Sequence, residues 1–115
     1  MKAWLMVLAI LALAVTAQAQ TLTWDRNSEP DMKDYQVWAC FTPSCVVIKS
    51  ASTLQPGTVP QTAPGVKPVY VLDLTGKEGA LAVSARDTSN NESALSVPVP
   101  FDKVTPQPPV GLTLQ

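Results

Sequence analysis

The chain has 115 residues, enough for one domain and too few for two. It carries eight Lys and Arg against nine Asp and Glu, with no basic cluster, so we expect no nucleic-acid partner. Histidine, the commonest general base and metal ligand, is absent, and we predict no catalytic residue, no metal site and no cofactor.

The first 19 residues have the pattern of a secretory signal peptide. Lys2 gives a positive start, residues 3–15 are an uninterrupted apolar run, and residues 17–19 form a small-x-small cleavage site before Gln20. The alternative is a membrane anchor, but spanning a bilayer takes about 20 apolar residues and this run is shorter. We therefore predict an exported protein, periplasmic or secreted, which contacts a membrane only through an uncleaved signal.

The remaining sequence predicts an all-β domain over residues 20–101. All eleven prolines lie after the signal, which disfavours helices and favours short strands joined by turns. Apolar and polar residues alternate in several short runs, the period expected of half-buried strands. The alternation places these residues in the core: Leu22, Trp24, Tyr35, Val37, Tyr70, Leu72, Leu74, Leu81, Val83 and Ala85.

Cys40 and Cys45 flank a four-residue turn that contains a proline. Two cysteines in an exported chain predict a disulfide, here across a hairpin. A zinc site would need four ligands, and a thiol oxidoreductase would favour a C-x-x-C spacing, so neither alternative fits. The following residues, 50–67, predict a long irregular loop that holds one short edge strand.

A hairpin is predicted over residues 79–99, with its polar turn at residues 87–93. The second strand would direct Leu95, Val97 and Val99 to the core and turn Pro98 and Pro100 outward. Prolines so placed are typical of a strand at the edge of a sheet. Three acids near the first turn, Asp25, Glu29 and Asp31, are interpreted as solvated turn residues, because their spacing fits no EF-hand loop.

Two motifs resemble a bacterial fibronectin type III domain. Residues 24–37 read W-D-x-N-x-E-P-D-x-x-x-Y-x-V, and residues 85–93 read A-x-D-x-S-N-N-E-S, in which Asn90 stands where the family often has a left-handed glycine. The resemblance implies a seven-stranded, immunoglobulin-like antiparallel sandwich that spaces, displays or binds and does no chemistry. The sequence departs from the family at Gly79 and Ala80, where an aromatic residue or tyrosine pair usually opens the strand.

Residues 102–115 form a proline-rich tail, and residues 108–114 resemble the P-P-x-G-L-x-L stretch that opens such domains. A strand at residues 110–114, with Val110, Leu112 and Leu114 on one face, would complete a sandwich in its own chain or in a neighbour. The alternatives are a solvated proline-rich tail and the stub of a linker to a second domain lost by truncation.

The expected function is a non-catalytic exported module for adhesion, spacing or protein binding, whose partner is an unknown protein or glycan. An alternative is a carbohydrate-binding accessory module of a polysaccharide-degrading system, which would use Trp38 and Phe41. If Tyr35 faces the core, alternation turns Trp38 outward, where an exposed ring could contact a partner. A third is a strand-exchanging subunit of a head-to-tail assembly, which would self-associate through the tail.

Cleavage after Ala19 is testable by mass spectrometry of the exported protein. We expect a chain that begins at Gln20, as the free amine or as pyroglutamate. Recovery of the intact N-terminus in a membrane fraction would contradict the prediction.

Overall fold

The computed structural model describes residues 19–115, and these form β-strands and no helix. The strands are β1 (Gln20–Thr23), β2 (Met32–Cys40), β3 (Leu54–Pro60), β4 (Val69–Leu72), β5 (Glu78–Asp87) and β6 (Val99–Asp102). The predicted all-β class is confirmed. The predicted signal peptide lies outside the described residues except for Ala19, and the described part has no helix suited to crossing a membrane.

The strands form two antiparallel sheets, one of four strands in the order β3-β2-β5-β6 and one of two, β1-β4. The order of the larger sheet puts β2 and β5 at its centre, paired from Met32 opposite Asp87 to Cys40 opposite Ala80. Since the tail forms no strand, the described residues provide six strands, and the seventh predicted at residues 110–114 is missing.

The two sheets pack face to face over an apolar interior. Tyr35 and Val37 of β2 are fully buried, and side chains of β1 and β4 pack against them from the smaller sheet. Trp24, which follows β1, meets Tyr35 edge to face with ring centroids 5.4 Å apart. The hydroxyl of Tyr35 donates to Gln61 Oε1 at 2.8 Å, so this buried polar group is satisfied.

A second apolar cluster covers the outer face of the larger sheet. Cys40, Val47, Ala80 and Ala82 are buried there, and Trp38, Cys45 and Leu95 pack against them. Trp38 and Cys40 of β2 therefore lie under loop residues and do not form an open surface.

Cys40 and Cys45 form the predicted disulfide, with Cα atoms 6.3 Å apart. The expected hairpin is wrong, because the next strand begins only at Leu54. After a turn closed by the bond from Cys45 N to Thr42 O, the chain crosses the outer face of the sheet. There Val47 is buried in apolar contacts and residues 46–49 form no strand.

Gly79 stands where the family resemblance implied an aromatic residue, and the structure gives the reason. A Cβ at this position would lie 1.9 Å from the carbonyl oxygen of Cys40. The backbone next to the disulfide thus occupies the space that a side chain would need. Asn90 has φ of 65°, so its predicted left-handed conformation is confirmed.

The expected edge position of the last strand is confirmed, since β6 ends the larger sheet. The predicted facing is wrong for Leu95, which packs on the outer face. Val97 and Val99 border the gap between the sheets, but their predicted burial is wrong, since they are 87% and 52% exposed. Arg86 pairs with Glu92, and Leu81 pairs with Val99. Between these two pairs there are five steps along β5 but seven along the segment opposite it. Two extra residues bulge out of the partner segment, which breaks the alternation of its side chains.

We expect the double variant Cys40→Ala/Cys45→Ala to unfold at lower temperature than the native chain. Removing a cross-link that closes so short a loop costs about 2 kcal/mol in unfolded-state entropy, or about 8–16 °C in the midpoint for a domain of this size. Circular dichroism during heating measures the shift. The oxidised and reduced native protein provide the control, and equal midpoints for those two forms would contradict the prediction.

Candidate functional site

An open cleft lies beside β1, between the two sheets. β1 pairs with β4 along one edge, and its other edge has no partner strand among residues 19–115. The cleft at this free edge has a volume of about 360 Å³. Leu22 and Trp24 line it from the smaller sheet, and Leu81, Val83 and Val97 line it from the larger one. The lining is therefore mainly apolar.

The opposite side of the sandwich is closed. There Tyr70 of β4 donates its hydroxyl hydrogen to the carbonyl oxygen of Pro56 in β3, at 2.8 Å. Its ring lies against Gly57, where a Cβ would be 2.3 Å from Tyr70 Cε1. Within residues 19–115, the gap between the sheets is thus bridged at β4 and open at β1.

Trp24 is the largest side chain in the cleft wall. Its indole Nε1 is buried and has no hydrogen-bond acceptor among the described residues. Because buried donors are normally paired, this unsatisfied N–H is an exception that lies in the wall of the cleft.

Val97 and Val99 border the same cleft from the segment that follows the β5 turn. The bulges in this segment are held by serine hydroxyls: Ser93 Oγ accepts from Ala85 N and Ser96 Oγ accepts from Val83 N, each at 2.9 Å. These side-chain bonds replace regular strand pairing and leave the two valines uncovered.

Trp38, predicted as an exposed partner-binding residue, is half-buried on the outer face of the larger sheet. The ring faces away from Tyr35, as expected. It is not exposed as predicted, because residues that follow the disulfide, among them Val47, cover it. Its Nε1 donates to Ser84 Oγ at 3.1 Å, and Ser84 donates to Glu92. Lys49 is the last member of this hydrogen-bond network, with its ammonium nitrogen 3.1 Å from Glu92 Oε2.

This network fixes the loops that cover the outer face. Burial disfavours ionised Glu92, but the bonds from Ser84 and Lys49 outweigh it and hold the pKa of Glu92 below its ordinary value. Lys49 also donates to the carbonyl oxygen of Ser93 at 2.6 Å. The side chains that could have formed a reactive cluster are thus engaged in holding the loop against the sheet.

Phe41, the other predicted partner-binding residue, lies in the opposite cluster. It packs edge to face against Phe101 with centroids 6.2 Å apart, and Lys77 Nζ lies 4.9 Å from its ring centroid. Phe41 is therefore packed against the interior cluster, whereas Trp38 is on the outer face. The two rings do not form a common platform.

Asp34 of β2 and Arg86 of β5 form a bidentate ion pair. Arg86 Nε and Nη2 each donate to one carboxylate oxygen at 2.8 Å. The Asp34 side chain is only 10% exposed. The bonds from Arg86 lower the pKa of Asp34, although burial acts in the opposite direction.

The acids near the first turn remain apart from any metal-binding arrangement. No group of three side chains able to hold a metal ion occurs within residues 19–115. Asp25 forms a surface ion pair with Lys67, with its side chain 93% exposed. The structure thus places Asp25 in solvent, as interpreted from the sequence.

The three tail residues predicted for strand exchange are almost fully exposed. Val110, Leu112 and Leu114 expose 93%, 94% and 100% of their surface. Completion of the sandwich within the same chain is therefore not the state of this structure.

No family model, no curated protein and no solved structure matches this chain.

The sequence analysis missed the two polar networks on the outer face. In the sequence, Asp34, Ser84 and Arg86 alternate with core residues. This alternation indicates that all three lie on the same face of the sheet as Trp38. Their pairing depends on the register between β2 and β5, which alternation alone does not define.

We expect Asp34→Asn to lower the free energy of unfolding by about 1–3 kcal/mol at pH 7, because a charged hydrogen-bond pair at a buried position is lost. The folded pKa of Asp34 lies below its unfolded value of about 3.9, so the ion pair stabilises the fold above that pH. Its contribution disappears as pH falls through the lowered folded value. Urea unfolding at pH 7 and in acid measures both effects.

Asp25→Asn is the matched control for this experiment, since it removes an acid from an exposed ion pair. We expect it to change stability by less than about 0.5 kcal/mol. Equal effects of the two substitutions, or a deficit of Asp34→Asn that persists unchanged in acid, would contradict the role given to the ion pair.

Proposed function

We propose that this protein is an exported, non-catalytic module with a fibronectin type III-like fold, and that it binds an extended strand of a protein partner at the free edge of β1. The observation that carries the proposal is the apolar cleft of about 360 Å³ beside that edge. Strand addition at such an edge combines main-chain hydrogen bonds with pockets for alternate side chains.

The fold assignment has support from sequence and from topology. The motifs at residues 24–37 and 85–93 carry the resemblance, and the described strands form a four-stranded sheet facing a two-stranded one. A seven-stranded sandwich of this type has one strand more. The position left vacant is next to β1, since the β4 side is bridged by Tyr70.

Export has two supports, the signal pattern of residues 1–19 and the disulfide between Cys40 and Cys45. Disulfides persist in oxidising compartments such as the periplasm or the extracellular medium. A role as a binding module agrees with the state of the titratable groups, because Asp34, Arg86 and Glu92 are held in structural ion pairs.

Binding of a protein is favoured over binding of a glycan by the placement of the aromatic rings. Stacking on sugars needs exposed ring faces, whereas Trp38 is covered and hydrogen-bonded, and Phe41 packs on Phe101. The cleft instead offers aliphatic side chains and an unpaired strand edge, which suit an extended polypeptide.

Site-specific photo-crosslinking in the cells that make the protein tests this proposal. A photoreactive amino acid at Val97, which lines the cleft, is expected to give adducts that contain a second polypeptide. The same amino acid at Val71 is the control, since Val71 is 58% exposed on β4 and does not line the cleft. No polypeptide adduct at Val97, or equal adducts at both positions, would refute binding at this site.

A further inference from the structure

We propose that the strand which fills the cleft is residues 110–114 of a second copy of this chain. This inference rests on the proposed function and names the partner. Val110, Leu112 and Leu114 alternate with Gly111 and Thr113, so an extended strand would put all three large apolar side chains on one face. In the structure these three have nothing to cover them.

The tail and the cleft match in length and in charge. Five extended residues span about 17 Å, the same as β1 together with Trp24. Residues 104–115 contain no charged side chain, which suits a cleft lined by Leu22, Leu81 and Val83. Insertion of the strand would also cover Val97 and Val99, the exposed valines of the cleft wall.

The edges of the larger sheet are protected against strand addition, whereas β1 is not. β3 contains Pro56 and Pro60. At the other edge, Pro98 directly precedes β6 and Pro100 lies within it. Proline lacks the N–H that a new neighbouring strand would use. β1 has the sequence Gln-Thr-Leu-Thr, without proline or charge, so both its N–H and C=O groups are available along the free edge.

Antiparallel pairing with β1 is out of reach for the chain's own tail. β1 runs in the same direction as β5, since Leu22 packs on the cluster of Leu81 and Trp24 packs edge to face on Tyr35, which pairs with Ala85. The tail leaves from the Leu81 end, where Lys103 is hydrogen-bonded to Lys77. An antiparallel strand would have to start at the far end, beside Trp24.

The distance to that starting point exceeds the reach of the linker. From the level of Lys77 to that of Ala85 is eight residues of strand, about 26–27 Å. The seven steps from Lys103 to Val110 extend over about 23–25 Å at most. Parallel pairing would instead need a reversal within residues 104–109, where three of six residues are proline and favour an extended, stiff chain.

The tail of a second copy needs neither to cross the length of the domain nor to reverse its direction within residues 104–109. It would enter at the Trp24 end of β1 and run towards Gln20. The donor strand and the acceptor cleft are then different surfaces at opposite ends of the molecule, which makes the contact heterologous. Such contacts form a ring where the rotation between copies closes and a filament where it does not, and the product that we expect is the open, linear head-to-tail assembly.

Analytical ultracentrifugation of the full exported chain at increasing concentration tests the inference. We expect progressive association of the native protein. Leu112→Asp should raise the dissociation constant roughly a hundredfold, because its carboxylate would enter an apolar cleft. Thr113→Asp is the matched control: the same charge would sit on the outward face of the strand and leave association nearly unchanged.

Mixing two variants distinguishes exchange between chains from folding back within one chain. Val97→Asp keeps its tail and loses its cleft, and Leu112→Asp keeps its cleft and loses its tail. Each should be monomeric alone, and the mixture should form one-to-one dimers that grow no further. Both positions are more than four-fifths exposed, so circular dichroism should show native folds in both.

The inference is wrong if the native chain stays monomeric at every concentration, if the two tail variants behave alike, or if the mixture does not dimerise. Those results leave the proposed function standing when photo-crosslinking at Val97 captures a different polypeptide. Absence of any crosslinked polypeptide at Val97 instead removes the proposed function itself.

Discussion

β2 and β5 pair from Met32 opposite Asp87 to Cys40 opposite Ala80, and the buried regions on both sides of the larger sheet are built on this pair. The alternation of its side chains defines two faces. Tyr35 and Val37 point to the smaller sheet, and Trp38 points to the outer loops. The pair also brings Asp34 and Arg86 together, so the same register that aligns the core aligns the main ion pair.

Local patterns in the sequence predicted those parts of the structure that depend on neighbours in the chain. Alternation in β2 identified which residues face the interior, because successive side chains of a strand point to opposite sides. The turn chemistry predicted the left-handed Asn90, since asparagine tolerates this conformation. The disulfide was predicted from two nearby cysteines in a chain whose first 19 residues have the pattern of an export signal.

The features that could not be predicted depend on contacts between distant segments. The two cysteines predicted a hairpin, yet Val47, two residues after the second cysteine, packs onto β5 residues more than thirty positions away. The bulges near Ser93 and Ser96 arise because their hydroxyls accept from backbone N–H groups of β5, a bond that competes with regular pairing. Neither arrangement changes the alternation of apolar and polar residues in its own segment, so the facing of Leu95 and the burial of Val97 were predicted wrongly.

The unequal sizes of the two sheets give the molecule its asymmetry. A sheet of two strands cannot cover one of four, and the uncovered strip runs along β5 and the segment that contains Val97. On the outer face, the apolar side chains of the larger sheet are covered by the irregular segment after the disulfide, which the Lys49–Glu92 ion pair holds in place. On the inner face nothing in residues 19–115 does so, although burial of those side chains would be favourable. The uncovered strip and the tail are both apolar and both exposed, and the contact that we propose between successive copies would bury the two together.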